Sequence, residues 1–159
     1  MSEEKKEIDL YRDTPVRYMG YCNEVGESFR YVVPWFVKPS YAISFGYCFA
    51  DTMDKGYKQY KKDEKKVSQQ LVVKSADCLI WQCLASVIIP GWVIHKFVKY
   101  TKLAIASPMF SKTAFFKRRG VVTFAPTFVG LAAIPFIIHP IDHSVDYLMD
   151  NTYRKAFFK

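Results

Sequence analysis

His139 and His143 stand four residues apart, with Asp142 and Asp146 beside them. On a helix this spacing stacks two imidazoles on one face, as a zinc ion requires of its first ligands. No further strong ligand cluster faces them in the sequence, and Pro140 distorts the turn between the two histidines. They read as polar groups at the boundary of an apolar segment, and no metal is expected. Asp51, Asp54, Asp77 and Asp142 fall at the ends of apolar blocks. Carboxylates in such places pair with lysines such as Lys38, Lys55 or Lys96, cap helices, or line an ion path. A polar network at the span ends is the expected role, drawing in Lys38, His139 and Asp146. Asp142, Asp146 and Asp150 recur at spacing four, which puts three carboxylates on one helical face. Lys117-Arg118-Arg119 is a cationic stop suited to anchoring a span or to contacting anionic lipid such as cardiolipin.

None of these groups makes a reaction centre. The sequence has no nucleophile elbow, no phosphate-binding glycine loop and no dinucleotide fingerprint. Cys22, Cys48, Cys78 and Cys83 form no C-x-x-C pair and read as small buried hydrophobes. No catalytic activity and no cofactor are expected.

The elements that position these residues follow from how hydrophobicity is distributed. Half of the 159 residues are hydrophobic, and they come in blocks with the charges between them. The first block is 31–53, broken early by Pro34 and Pro39 with Lys38 inside it, so that its span starts near Pro39. The second, 76–94, is the clearest span. Trp81 and Trp92 are candidates for its two interfacial belts, and Pro90-Gly91 should kink its far end. The third, 121–141, is bent by Pro126, Pro135 and Pro140, and Gly130 with Ala133 permits close helix packing. Residues 97–120 are ambiguous. Lys99, Lys102 and Lys112 punctuate them and Pro108 breaks them, so they read as interfacial helices or as a fourth span. Residues 55–74, with seven lysines against two acids, read as a loop in water or on headgroups.

Residues 1–14 are polar and read as a loose N-terminus. Pro15 then opens an amphipathic helix over 16–31, with Val16, Met19, Cys22, Val25 and Phe29 on its apolar side and Asn23, Glu24, Glu27 and Arg30 largely opposite. The fold class is therefore all-α: one membrane domain, a multi-span helical bundle of three or four spans preceded by an amphipathic helix. The net charge of +8 is loop charge flanking the spans. It shows no basic face of a soluble domain, so nucleic acid is not an expected partner. Lysine and arginine divide almost evenly between the two sides of a three-span arrangement, and orientation does not follow from them.

Longer strings carry a resemblance. Asp9-Leu10-Tyr11-Arg12-Asp13-Thr14, Val16-Arg17-Tyr18, Gly20-Tyr21, Asn23-Glu24-Val25-Gly26-Glu27 and Phe29-Arg30 resemble the N-terminal signature of the mitochondrial fission process protein family. Asp54-Lys55-Gly56, Trp81-Gln82, Leu84-Ala85-Ser86 and Ile89-Pro90-Gly91 agree, as does Ile134-Pro135 followed by Ile137 to Asp142, Ser144-Val145-Asp146 and Leu148. The resemblance covers residues 9–155. It implies a multi-pass protein of the mitochondrial inner membrane that promotes fission and influences inner-membrane bioenergetics, among protein partners the sequence does not identify. A small channel or a modulator of a carrier is the alternative. Lys99, Lys102 and Lys112 depart from the more hydrophobic stretch of the family, as does His143 from its arginine. The N-terminus lacks the Arg-rich, acid-poor helix of a cleaved presequence, so internal targeting is expected.

Overall fold

The computed structural model describes residues 10–11, 14–108 and 118–157, and every regular element among them is helical. Thr14 opens the first: its hydroxyl accepts the Val16 N–H at 3.3 Å, and Pro15 occupies the first helical position, where its missing N–H has no intrahelical partner to lose. The turn so started is a 3-10 helix, Pro15–Tyr21, and it passes into a short α-helix, α1, Cys22–Ser28. A second 3-10 turn, Pro34–Phe36, leads into α2, Val37–Lys62. The block expected over 31–53 thus becomes helical only from Pro34, with Pro39 tolerated in the first turn of α2.

The lysine-rich segment is largely not the loop that its composition suggests. α2 continues to Lys62 because lysine and glutamine are good helix formers and because Lys55 and Lys58 pair with Asp51 and Asp54 one turn back, at 2.9 and 2.7 Å. The chain reverses at Glu64 and Lys65, both in the left-handed region. Ser68 then caps α3, Gln69–Gln82, by accepting the Leu71 N–H at 3.0 Å.

α3, a π-helical turn at Cys83–Ile88, and α4, Ile89–Ala106, make one continuous rod of 38 residues. Pro90 accounts for the π turn. A proline has no N–H for the carbonyl one turn back and its ring crowds that turn, and widening the turn absorbs the clash. The Ile89 N–H accordingly donates five residues back, to the Leu84 carbonyl. Residues 97–106 belong to this rod with Lys99 and Lys102 on its exposed side, and residues 109–117 of the ambiguous stretch lie outside the described residues. α5, Arg119–Asn151, contains Pro126, Pro135 and Pro140 without ending at any of them, and α6, Tyr153–Phe157, closes the described chain.

α2 runs along α3, α5 runs along α4, and α1 is wedged between α2, α4 and α5. Side-chain contacts give the bundle two poles. At one, the Lys102 ammonium lies 3.7 Å from the centre of the Tyr31 ring. Toward the other, Tyr47 OH donates to the Tyr11 carbonyl (2.6 Å), Arg17 pairs with Asp142 (3.0 Å) and Tyr153 OH donates to the Val73 carbonyl (2.9 Å). The stretch from Thr14 to Tyr31 therefore runs from one pole toward the other, with Tyr18 and Met19 exposed and α1 enclosed by the longer helices.

The polarity of the packing is inverted. On α2, Ser40, Ser44 and Asp51 are buried with Val37, Tyr47 and Cys48, while Ile43, Phe45, Phe49 and Met53 point outward. Trp92, Phe97, Leu103, Phe124, Phe128 and Phe136 are exposed on α4 and α5. The apolar core is small, centred on Trp81, Ala85, Ile141, Val145 and Met149. Trp81 is not the belt residue its spacing suggested. It is buried, and its indole N–H donates to Asp146 at 2.9 Å, whereas Trp92 faces outward.

The same inversion corrects the amphipathic helix expected over 16–31. Only Cys22–Ser28 is α-helical there, and its polar side faces inward: Asn23, Glu24, Glu27 and Ser28 are buried, whereas Met19 is half exposed. Among the described residues two helical stretches, Gln69–Ala106 and Arg119–Phe157, are long and apolar enough to cross a membrane. α2 is not among them, because Asp51, Asp54 and the lysines of its second half dilute its apolar residues.

Candidate functional site

α1 carries more polar than apolar side chains, yet glycine lets it sit deep in the bundle. A Cβ at residue 26 would lie 2.7 Å from Ser40 Cβ and 3.5 Å from the Val37 Cα, so only a bare backbone fits against α2. On another side Ser28 rests on Gly130 of α5, where an added Cβ would meet Ser28 Oγ at 2.6 Å and Val98 Cγ2 at 2.8 Å. The small residue noted in the third block thus receives α1.

Seated this way, α1 presents its polar groups to three helices. The Asn23 N–H donates to Ser44 Oγ at 2.9 Å, and its amide donates to the Val87 carbonyl at 3.0 Å. That carbonyl lies within the π turn, so the local distortion caused by Pro90 offers an acceptor to a side chain from another helix. Glu27 is the hub of the lower half. Arg30 grips it with two bonds of 2.6 and 2.7 Å, Tyr41 OH of α2 donates to it at 3.2 Å, and His95 Nδ1 of α4 lies 3.1 Å from its other oxygen. Glu24 differs. It is fully buried, and both of its carboxylate oxygens lack a hydrogen-bond partner among the described residues.

A second network joins α2 to the rod. Asp51, also fully buried, holds the Lys55 ammonium at 2.9 Å and accepts from the Gln82 amide and, at 3.5 Å, from the Cys78 thiol. Gln82 in turn accepts from Ser86 Oγ at 2.8 Å. A third lies at the end of the chain, where Arg154 bridges Asp77 (2.9 Å), Asp146 (3.1 Å) and Asp150 (2.9 Å). These arrangements fasten helices to one another. Among the described residues no group of three or more His, Cys, Asp or Glu could hold a metal ion.

The profile of the mitochondrial 18 kDa protein family matches residues 10–79 and 69–149. The chain belongs to that family. Among its relatives, mitochondrial fission process protein 1 of Caenorhabditis elegans is 42% identical over 159 residues, covering 98% of this chain and 92% of its own length. The protein of the same name from Homo sapiens is 43% identical over 157 residues (95% and 89%), and that from Danio rerio 41% over 155 residues (96% and 90%). No solved structure matches the chain.

In this member of the mitochondrial 18 kDa family the residues singled out from sequence do not form one site. Asp51 enters the α2–rod network, Asp54 pairs with Lys58, Asp77 and Asp146 meet at Arg154, and Asp142 pairs with Arg17. Lys38 is exposed at the start of α2, and His139 and His143 are exposed on α5. Lys96 lies 5.4 Å from the Trp92 ring instead of pairing with a carboxylate. Arg118 and Arg119 are exposed where α5 begins, and Lys117 lies outside the described residues. The residues that sequence reasoning missed are Asn23, Glu24, Glu27, Arg30, Gln82 and His95. A usable signal was present: Asn23, Glu24, Glu27 and Ser28 surround Gly26 at helical spacing, and a glycine inside a helix indicates close approach of a neighbour.

Proposed function

We propose that this chain is a multi-pass integral protein of the mitochondrial inner membrane that promotes division of the organelle without catalysing a reaction. The observation that carries the membrane reading is the inverted packing, with Ser40, Ser44, Asp51, Asn23, Glu24 and Glu27 inside and Phe45, Phe49, Trp92, Phe97, Phe128 and Phe136 outside. Water would reward the opposite arrangement, whereas acyl chains accept this one. The fission reading rests on the names of the relatives. In this reading α3–α4 and α5 cross the bilayer. α2 lies alongside them with its polar side turned inward, and α1 is held in the interior while Tyr18 and Met19 before it stay at the surface.

Two results are expected. The full chain should remain in the membrane pellet after alkaline carbonate treatment of mitochondria, and release into the supernatant would end the reading. Tags at the two ends should respond alike to protease in intact organelles and in mitoplasts, because Tyr11 and Arg17 lie toward the same pole as Asp142 and Tyr153. Opposite responses would contradict this path of the chain.

The opposite pole offers a lipid contact through the exposed Lys99, Lys102, Arg118 and Arg119. In the sequence no Asp or Glu occurs between Asp77 and Asp142, and that stretch also contains Lys96, Lys112 and Lys117. Anionic headgroups such as those of cardiolipin suit this surface, which attracts them at about 1 kcal/mol per cation near the membrane surface. Replacing Lys117, Arg118 and Arg119 by Gln should weaken binding to cardiolipin-containing vesicles about tenfold or more, with little change toward neutral ones. Equal binding by the triple variant and the parent would remove the lipid contact from the proposal.

A further inference from the structure

The carboxyl group of Glu24 has no structural task that its charged form could perform. It is fully buried on α1, and neither oxygen accepts a hydrogen bond among the described residues. The cations that could neutralise it are engaged elsewhere: Arg17 with Asp142, Arg30 and His95 with Glu27. The charge that bears on it makes matters worse for an anion. From α5 this is Asp142, itself a carboxylate, while Tyr21 of the 3-10 turn is a neutral phenol and offers no compensating charge. The ionisable groups that α2 and α4 direct at α1 are Tyr41 and His95, and both go to Glu27. An isolated carboxylate in an apolar interior costs far more than a neutral acid, and such groups neutralise by taking up a proton.

We propose that Glu24 is a proton-binding site, held in the folded bundle as the neutral acid, and that losing the proton unseats α1 from between α2, α4 and α5. The inference is independent of the membrane and fission readings, since it needs only the burial of Glu24 and the absence of a partner among the described residues. It assigns to α1 a sensitivity to pH that the paired Glu27, one turn away, does not share. The direction follows from linkage. The folded chain keeps a proton that the unfolded chain releases, so raising the pH favours unfolding, by about tenfold in the equilibrium constant per pH unit while that difference persists.

Infrared difference spectroscopy on the full chain in detergent tests this directly. At neutral pH the wild-type spectrum should contain a protonated-carboxyl stretch that disappears in Glu24→Gln and survives in Asp142→Asn. The thermal midpoint of the wild type should fall as the pH rises from 5.5 toward 8, relative to that of Glu24→Gln. If the wild type lacks the protonated-carboxyl band, the proposal fails whether or not the variants fold. If Asp142→Asn removes the band and Glu24→Gln leaves it, the proton belongs to Asp142 and the assignment falls. Parallel pH profiles of the wild type and Glu24→Gln would equally overturn it.

Discussion

Replacing Arg30 by alanine should destabilise the bundle by about 1–3 kcal/mol, less than for a pair buried on both sides because the Arg30 side chain is 35% exposed. Glu27 is 3% exposed and receives two of its bonds from the Arg30 guanidinium, at 2.6 and 2.7 Å. Without that fork the carboxylate keeps only the Tyr41 hydroxyl and the His95 ring, and the charge stays buried among three helices. The thermal midpoint in detergent should fall by roughly 5 °C. Arg30→Lys should fall between the two, because an ammonium restores the charge but cannot make both parallel bonds. Adding Glu27→Gln to Arg30→Ala should recover part of the loss, since the uncompensated charge is then gone. A midpoint for Arg30→Ala equal to that of the wild type would mean that Glu27 is not a buried anion.

Gly26→Val should be nearly as damaging, by a different physical route. The added side chain would enter the space held by Ser40, and the Val37 backbone lies close behind it, so α1 and α2 must separate. Overpacking of this kind costs about 1–3 kcal/mol, and more where backbone must move. Gly46, on the same helix as Ser40, supplies the control. Nothing lies within 4 Å of a Cβ built there. Gly46→Ala should therefore leave the bundle intact and stabilise it by about 0.5–1 kcal/mol through helix propensity alone. If the two substitutions shift the unfolding midpoint equally, the close seating of α1 against α2 is wrong.

The blocks at 76–94 and 121–141 were legible because both signals, length and freedom from charge, agreed there. Pro90 announced a distortion, though not that it would be a π turn with a carbonyl offered to Asn23. The lysine-rich segment misled because its charge argued for water while its propensity argued for helix, and charge on an exposed helical face satisfies both. The N-terminal helix misled more deeply. Periodicity locates a polar side and an apolar side but does not say which one the rest of the protein covers, and in a bundle with an apolar exterior the usual assignment reverses. The network around Glu27 was hidden for a related reason. Its members come from Glu27, Arg30, Tyr41 and His95, which meet only once three helices are packed. The strings on which the family resemblance rests nevertheless contain Asn23, Glu24, Gly26, Glu27 and Arg30, so the residues that build the interior were visible as pattern before their purpose was.

The seating of α1 also sets an order of assembly. Its polar side is enclosed by α2, by α4 and by Gly130 of α5. α1 thus has no complete resting place until α5, which follows it by some ninety residues, has arrived. A chain stopped before residue 119 would lack one wall of that niche. Arrival of α5, and not the entry of α1, is then the event that locks the bundle together.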